Sequence, residues 1–179
     1  MCVVVWIVNC GVAILKYPLD KICIKSGVYC SHCQYKIESG IVEKEELEIL
    51  RALVELEERL KFLKKGEYVK SIHIDDEVFV FIRNSFDTSE LNMLEYELSK
   101  ELRKRAKVIE HISDLRRLVE QIMYPATVTG INRVWIPDGT EILNIRVSRR
   151  DKKHLIHARE HYEALIEKIS GIKTRIVFE

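Results

Sequence analysis

The sequence predicts an α+β protein built from two sister modules, with a short cysteine-bearing segment ahead of them. One order of elements is written twice: helix, hairpin, helix, last strand, first over residues 43–111 and again over 112–179. The repeat period, roughly seventy residues, is far too long for a solenoid unit, so the copies are separate modules side by side. Hydrophobic residues make up 47% of the chain and only 7 glycines and 3 prolines interrupt it, which suits packed cores and excludes a disordered chain. Modules of this size are marginal alone, so the two are expected to pack together.

Residues 1–16 are an apolar extension that opens MCVVVWIVNCGVAIL. It is too short to span a bilayer, lacks a basic n-region and is followed by no small-residue cleavage site, so it reads as neither anchor nor secretory signal. Two readings remain, a buried or frayed strand or the product of a start site placed too far upstream. The second is favoured because the coherent sequence starts at Tyr17-Pro18-Leu19-Asp20, and the extension is then expected to be dispensable. Residues 17–42 carry Cys23, Cys30 and Cys33. A Cys-x-x-Cys pair sets two thiolates at a distance suited to tetrahedral zinc, and Cys23 offers a third ligand. A closed structural site needs a fourth, from Cys10, a distant histidine such as His73 or His111, or a carboxylate; His32 points away. A disulfide and three plain thiols stay open beside one structural zinc. A thioredoxin-like redox pair does not, because KSGVY before the motif is not the strand it requires.

In the first module, EKEELEILRALVELEERLKFLKK sets Leu47, Leu50, Leu53, Val54, Leu56, Leu60 and Leu63 on one helical face. Glu43, Glu45 and Glu46 load its amino end and Lys64-Lys65 its carboxyl end, as the helix dipole favours, and Gly66 supplies the stop. Its carboxylates are expected on the solvated face. Strands follow over 68–74 and 78–83 about an Asp75-Asp76 turn, then a helix over 89–105 and a short strand over 106–109. The second module reads helix 114–123, strands 127–136 and 141–147, helix 157–170 and strand 173–178. Its hairpin closes on Pro137-Asp138-Gly139, where proline sets φ and glycine accepts a positive φ. Val, Ile and Trp suit a half-buried sheet, with Arg133 and Arg146 on or near its exposed side. Trp135 and Tyr124, the obvious stacking candidates, are expected to fill the core.

The net charge of +1 divides unevenly. Residues 1–99 hold 12 Lys/Arg against 17 Asp/Glu and residues 100–179 hold 17 against 11, so the second part suits a polyanion. The candidate phosphate contacts are Arg103, Lys104 and Arg105 in KELRKRAK, Arg116 and Arg117 on the next helix, Arg133 on the hairpin, and Arg149, Arg150, Lys152 and Lys153 in SRRDKKHLIHARE. His157-Ala-Arg-Glu160-His161 matches the order of an inverted zinc-protease motif, but the chain has no room for such a domain. No nucleophile, base and orienting group converge, so no enzyme and no small-molecule substrate are expected.

The module order is that of the second, prokaryotic type of KH domain, which binds single-stranded nucleic acid. Pro125-Ala126, Gly130-Ile131-Asn132, Trp135, Pro137-Asp138-Gly139 and Arg175-Ile176 resemble the archaeal NusA-like KH proteins, relatives of a transcription elongation factor. Pro18-Leu19-Asp20, Ile22-Cys23 and Lys25-Ser26-Gly27, with Cys30 and Cys33, resemble the opening of a cysteine-bearing branch of that family. The resemblance covers residues 17–179. It implies a cytoplasmic, tandem-KH, non-enzymatic RNA-binding protein of transcription elongation or termination, or of ribosome-associated machinery. Single-stranded or ribosomal RNA, RNA polymerase or the ribosome would be its partners, with no membrane involved. Members that keep the full pattern carry Gly-x-x-Gly loops; here NSFDTSEL and SRRDKKHLIHARE stand in those places. Either charged side chains replace the glycine amides, or the modules have become a protein–protein adaptor docked on RNA polymerase or the ribosome.

Overall fold

The structure, a computed structural model, describes residues 15–83, 86–155 and 157–179. The apolar extension, with Cys10, lies outside these residues apart from Leu15 and Lys16. Two short helices, α1 (Lys21–Ser26) and α2 (Ser31–Glu38), come first. The first module is α3 (Glu46–Arg59), β1 (Glu67–Ile74), β2 (Glu77–Arg83), α4 (Thr88–Leu102) and β3 (Arg105–Glu110). The second is α5 (Leu115–Met123), β4 (Val128–Trp135), β5 (Glu141–Val147), α6 (Arg159–Ser170) and β6 (Lys173–Phe178).

Each module makes one three-stranded sheet, β1-β2-β3 and β4-β5-β6, in which the hairpin is antiparallel and the last strand joins the middle one in parallel. The copies agree in detail. Each hairpin's first strand has a register shift, at Tyr68/Lys70 and at Val128/Gly130. Each long helix ends on a left-handed residue, Arg103 (φ 53°) in one and Gly171 (φ 71°) in the other. In each, a helix glutamate accepts from an amide of the last strand, Glu95 from Val108 at 2.9 Å and Glu163 from Ile176 at 2.7 Å, both across 13 residues. Those strands are sheet edges, and the glutamates occupy amides that would otherwise invite another strand.

The layering follows from β2. Val78, Phe79, Val80, Phe81 and Ile82 are all buried. Successive side chains of a strand point to opposite faces, so such a run needs cover on both. Val78, Val80 and Ile82 join a core with α3 and α4, while Phe79 and Phe81 join another with α5, α6 and the second sheet. The layers are therefore α3/α4, first sheet, α5/α6, second sheet. On β5 only Leu143, Ile145 and Val147 are buried, so among the described residues the second sheet has cover on one face alone.

Polar contacts lock the seam between modules. His157 Nε2 lies 2.5 Å from Glu77 Oε2, Arg105 donates to Glu77 Oε1 at 2.9 Å, and His161 Nδ1 lies 3.3 Å from Asp75. Burial acts to raise the Glu77 carboxyl, but the hydrogen bonds from Arg105 and His157 outweigh it and leave the pKa below the ordinary value. Both histidines of the His-x-x-Glu-His run thus face acids of the first module.

Several sequence expectations are corrected. The first acidic helix ends at Arg59; a 3-10 turn, Lys61–Lys65, follows, and Gly66 ends that turn instead. Glycine is needed there because a Cβ would stand 2.5 Å from the Phe86 ring. Two of the helix carboxylates are not solvated. Buried Glu46 accepts from the amides of Glu43 and Ser71 and from the Tyr68 hydroxyl, and fully buried Glu57 accepts from Lys21 and Tyr17. Trp135 and Tyr124 are 66% and 74% exposed rather than core residues: Trp135 ends β4, and Tyr124 caps the end of α5, where it lines open grooves beside β3. The helix expected from His157 starts at Arg159, because His157 is drawn to Glu77.

Phe81 is fully buried in the core that joins the modules. Phe81→Ala is expected to cost about 3–5 kcal/mol in urea unfolding, with the wild type unfolding in a single transition.

Candidate metal centre and basic surface

The two short helices bring together Asp20, Cys23, Cys30 and Cys33, with one ligand atom from each lying within 4.8 Å of all the others. The local logic is a repeated spacing. Asp20 is the N-cap of α1 and Cys23 lies three residues on; Cys30 is the N-cap of α2 and Cys33 lies three residues on. An N-cap and the third helical residue share one side of a first turn, so each helix presents two ligands. Gly27, left-handed at φ 71°, ends α1 by returning its amide to the Cys23 carbonyl and turns the chain toward α2.

The centre has the second-layer contacts of a thiolate site. The Asp20 amide donates to Cys33 Sγ at 3.3 Å and the Cys30 amide to Cys23 Sγ at 3.5 Å. Asp20 Oδ2 accepts from the thiols of Cys30 at 3.7 Å and Cys33 at 3.8 Å. Cys23 and Cys33 are buried, Cys30 is exposed, and all three are free thiols. Burial pushes the Cys33 thiol up to about 11, whereas the Cys33 amide, with further hydrogen bonds, draws the Cys30 thiol below the ordinary value. A divalent cation would relieve that conflict, because coordination replaces the proton and supplies the charge that burial penalises.

The fourth member is a carboxylate. His73 lies beside the Glu45 carbonyl and His111 beside Arg83, whose charge adds to burial in lowering the His111 pKa. Asp20-x-x-Cys23 repeats the spacing of Cys30-x-x-Cys33, and that repetition was the legible signal for it. The centre is fastened to α3. Lys21 pairs with Glu57 at 2.8 Å, Lys25 pairs with Glu58, and Leu19, Cys23, Ile24 and Cys33 share the core of α3.

The basic residues divide into held and free. Lys104, Arg105, Arg116, Arg117 and Arg133 pair with Glu48, Glu77, Glu120, Asp114 and Glu141. Arg149, Arg150, Lys152 and Lys153 sit on the 3-10 turn Arg149–His154, and none is in an ion pair among the described residues. Arg149 donates to the Phe178 carbonyl at 3.2 Å, and Lys152 stands 5.6 Å over the Phe178 ring. Asp151, the one acid in the turn, accepts from the Thr127 amide at 2.9 Å and lies 3.6 Å from His154 Nδ1; the Thr127 bond first, with the nearby Lys153 charge, lowers its pKa. Arg103, Lys104 and Arg105 line an open cleft with His157, four residues beyond Lys153. Arg117 instead lines a groove along β3 with Lys107 and Tyr124, and Arg133 lies on the β4–β5 hairpin. No described helix is long and apolar enough to cross a membrane.

In the metal-free protein Cys30 is expected to be alkylated first, reaching half its maximal rate below the ordinary thiol value of 9.0. Cys33 should titrate near 11 and react slowly, and a bound divalent cation should suppress both reactions. Site-resolved iodoacetamide labelling against pH, followed by mass spectrometry, measures this.

No protein-family model matches the chain, and no curated protein matches it in sequence. Among solved structures the chain is similar to APE1850, a crystal structure, with a TM-score of 0.56 and 19% identity over 73% of this chain and 96% of that one. Neither module makes up half of this chain, so the likeness takes in parts of both; at that identity it is a likeness of α+β fold.

Proposed function

We propose that the chain is a non-catalytic RNA-binding protein of two KH-like modules, in which the 3-10 turn of the second module docks phosphates and Asp20, Cys23, Cys30 and Cys33 hold one structural zinc. The observation that carries the RNA reading is the set of four cations on that turn, in no ion pair among the described residues, with Asp151 bonded to the Thr127 amide. An ordinary surface neutralises such a run with neighbouring acids; this one leaves its charge for a polyanion. The mixed three-stranded sheets support KH-like modules, and in the sequence the basic turn stands where a Gly-x-x-Gly loop would be expected. Side chains on that turn reach phosphates where glycine amides would otherwise do so. In this reading the protein belongs to the cytoplasmic transcription elongation or ribosome-associated machinery, as the NusA-like resemblance implies.

Three sulfurs and a carboxylate are a donor set suited to zinc, and four protein ligands leave no open position, so the metal would be structural. Its part is to hold α1 and α2 on α3. Elemental analysis of the purified protein should find one zinc per chain, lost in Cys33→Ser.

The second reading, a protein–protein adaptor on RNA polymerase or the ribosome, is favoured by one observation. The edge amides of Val108 and Ile176 are occupied by Glu95 and Glu163, which sets acids where a KH edge strand would meet bases.

Fluorescence anisotropy with short labelled single-stranded RNA and ribosomal RNA fragments separates the two. Binding should weaken with salt by about 0.7 to 0.9 in log–log slope per neutralised phosphate, and Arg149→Glu/Arg150→Glu should abolish it. No binding at low salt by a folded sample would leave the adaptor reading.

A further inference from the structure

The second sheet has one face without cover among the described residues, and cross-strand register assigns its members. Asn144 stands between Asn132 and Arg175, Arg146 between Gly130 and Val177, and Ile142 between Val134 and Lys173. These positions alternate with buried Leu143, Ile145, Val147 and Ile176, so they face away from α5 and α6. The nine comprise three cations, two amides, three aliphatics and a glycine, with no acid. Lys173 and Arg175 are in no ion pair among the described residues; Arg146 lies 3.3 Å from Glu179, beyond the end of β6. A face kept merely soluble would mix both signs of charge.

Gly130 gives this face a feature that solvation does not require. A Cβ there would stand 2.5 Å from Arg146 Nη2 and 3.0 Å from Cζ, so the guanidinium lies across β4 in the space a side chain would fill. Its φ is not in the left-handed range, so what glycine does here is leave the space the Arg146 guanidinium occupies; a side chain would displace that flexible end without straining the backbone. A planar cation laid on backbone, with its side chain 43% exposed, presents a stacking surface.

The face also runs into the basic turn. The Glu179 carbonyl accepts from the Arg149 amide at 2.9 Å while its carboxylate meets Arg146. Cations therefore line the way from Lys173 and Arg175 past Arg146 to Arg149, with the Glu179 carboxylate standing beside Arg146 at the sheet's end.

We infer that the open face of the second sheet is a second RNA-binding surface, taking single-stranded RNA that continues from the basic turn. Phosphates lie at Lys173 and Arg175, about 6.6 Å apart as alternate residues of one strand. Unpaired bases lie over the Arg146 guanidinium and between the Asn132 and Asn144 amides, which can donate to and accept from base edges. A duplex would bring phosphates but no free base edges to a flat face, which is why the strand is single. This site rests on the RNA reading above and extends it to a surface apart from the turn.

The test is anisotropy of the full-length protein with a labelled single-stranded RNA long enough to cross both surfaces. Three variants are compared with wild type after circular dichroism confirms their fold: Lys173→Glu/Arg175→Glu, Gly130→Thr, and, as control, Lys61→Glu in the exposed 3-10 turn of the first module. The double variant is expected to weaken binding at least tenfold. Its salt slope should fall by about 1.4, two single-strand phosphates at about 0.7 each. Gly130→Thr, which alters no charge but displaces the guanidinium, should weaken it about threefold to tenfold, and Lys61→Glu by less than twofold. Tight wild-type binding with both face variants within twofold of it would overturn the second surface while leaving the turn as the RNA site. No wild-type binding at low salt would overturn both.

Discussion

β2 is buried from both sides, and the arrangement of the molecule depends on that constraint. A strand with no solvent face must lie between two layers, and this one lies between α3/α4 and α5/α6. Because α5 and α6 are also the floor of the second sheet, taking the second module away would expose Phe79 and Phe81. Burying such a side chain contributes about 1.5–3 kcal/mol, so modules too small to be secure alone share one stabilising seam. The contact of Glu77 with His157 lies at the end of that same strand and joins the two modules, with Arg105 of the first module holding the other Glu77 oxygen.

One sheet is thereby closed and the other left half open, which governs what a ligand can reach. The first sheet offers no face, and Glu95 and Glu163 occupy outward amides on the two last strands. What remains is the end of the layered stack, where the Arg149–His154 turn sits, and the outer face of β4, β5 and β6. Arg149, Arg150, Lys152, Lys153, Lys173 and Arg175 lie there in no ion pair among the described residues, whereas Arg146 meets Glu179 and Arg116, Arg117 and Arg133 are neutralised locally. Total charge and available charge are different quantities, and only the latter bears on a polyanion.

The element order and both hairpins were legible because periodicity and turn chemistry are local. The VFVFI run of β2 even carried its two-sided burial, as an apolar strand without alternation. What stayed hidden depends on tertiary neighbours. Nothing local separates Glu46 and Glu57 from the solvated glutamates beside them; they are buried because Tyr68, Ser71, Lys21 and Tyr17 arrive from elsewhere in the chain. Trp135 and Tyr124 read as core by residue type, but they stand exposed at the ends of β4 and α5. Asp20 lay in between. Its spacing to Cys23 was visible, yet only the two helix starts make that spacing equal to a ligand pair.

Native-state hydrogen exchange of the full chain tests the shared seam most directly. The amides of residues 78–82 should be among the last to exchange, opening only in the same global event that releases β5. If β2 exchanged in a separate, easier opening that left the second sheet protected, or the reverse, the modules would be stable independently and the two-sided burial of β2 would not be what holds the molecule together.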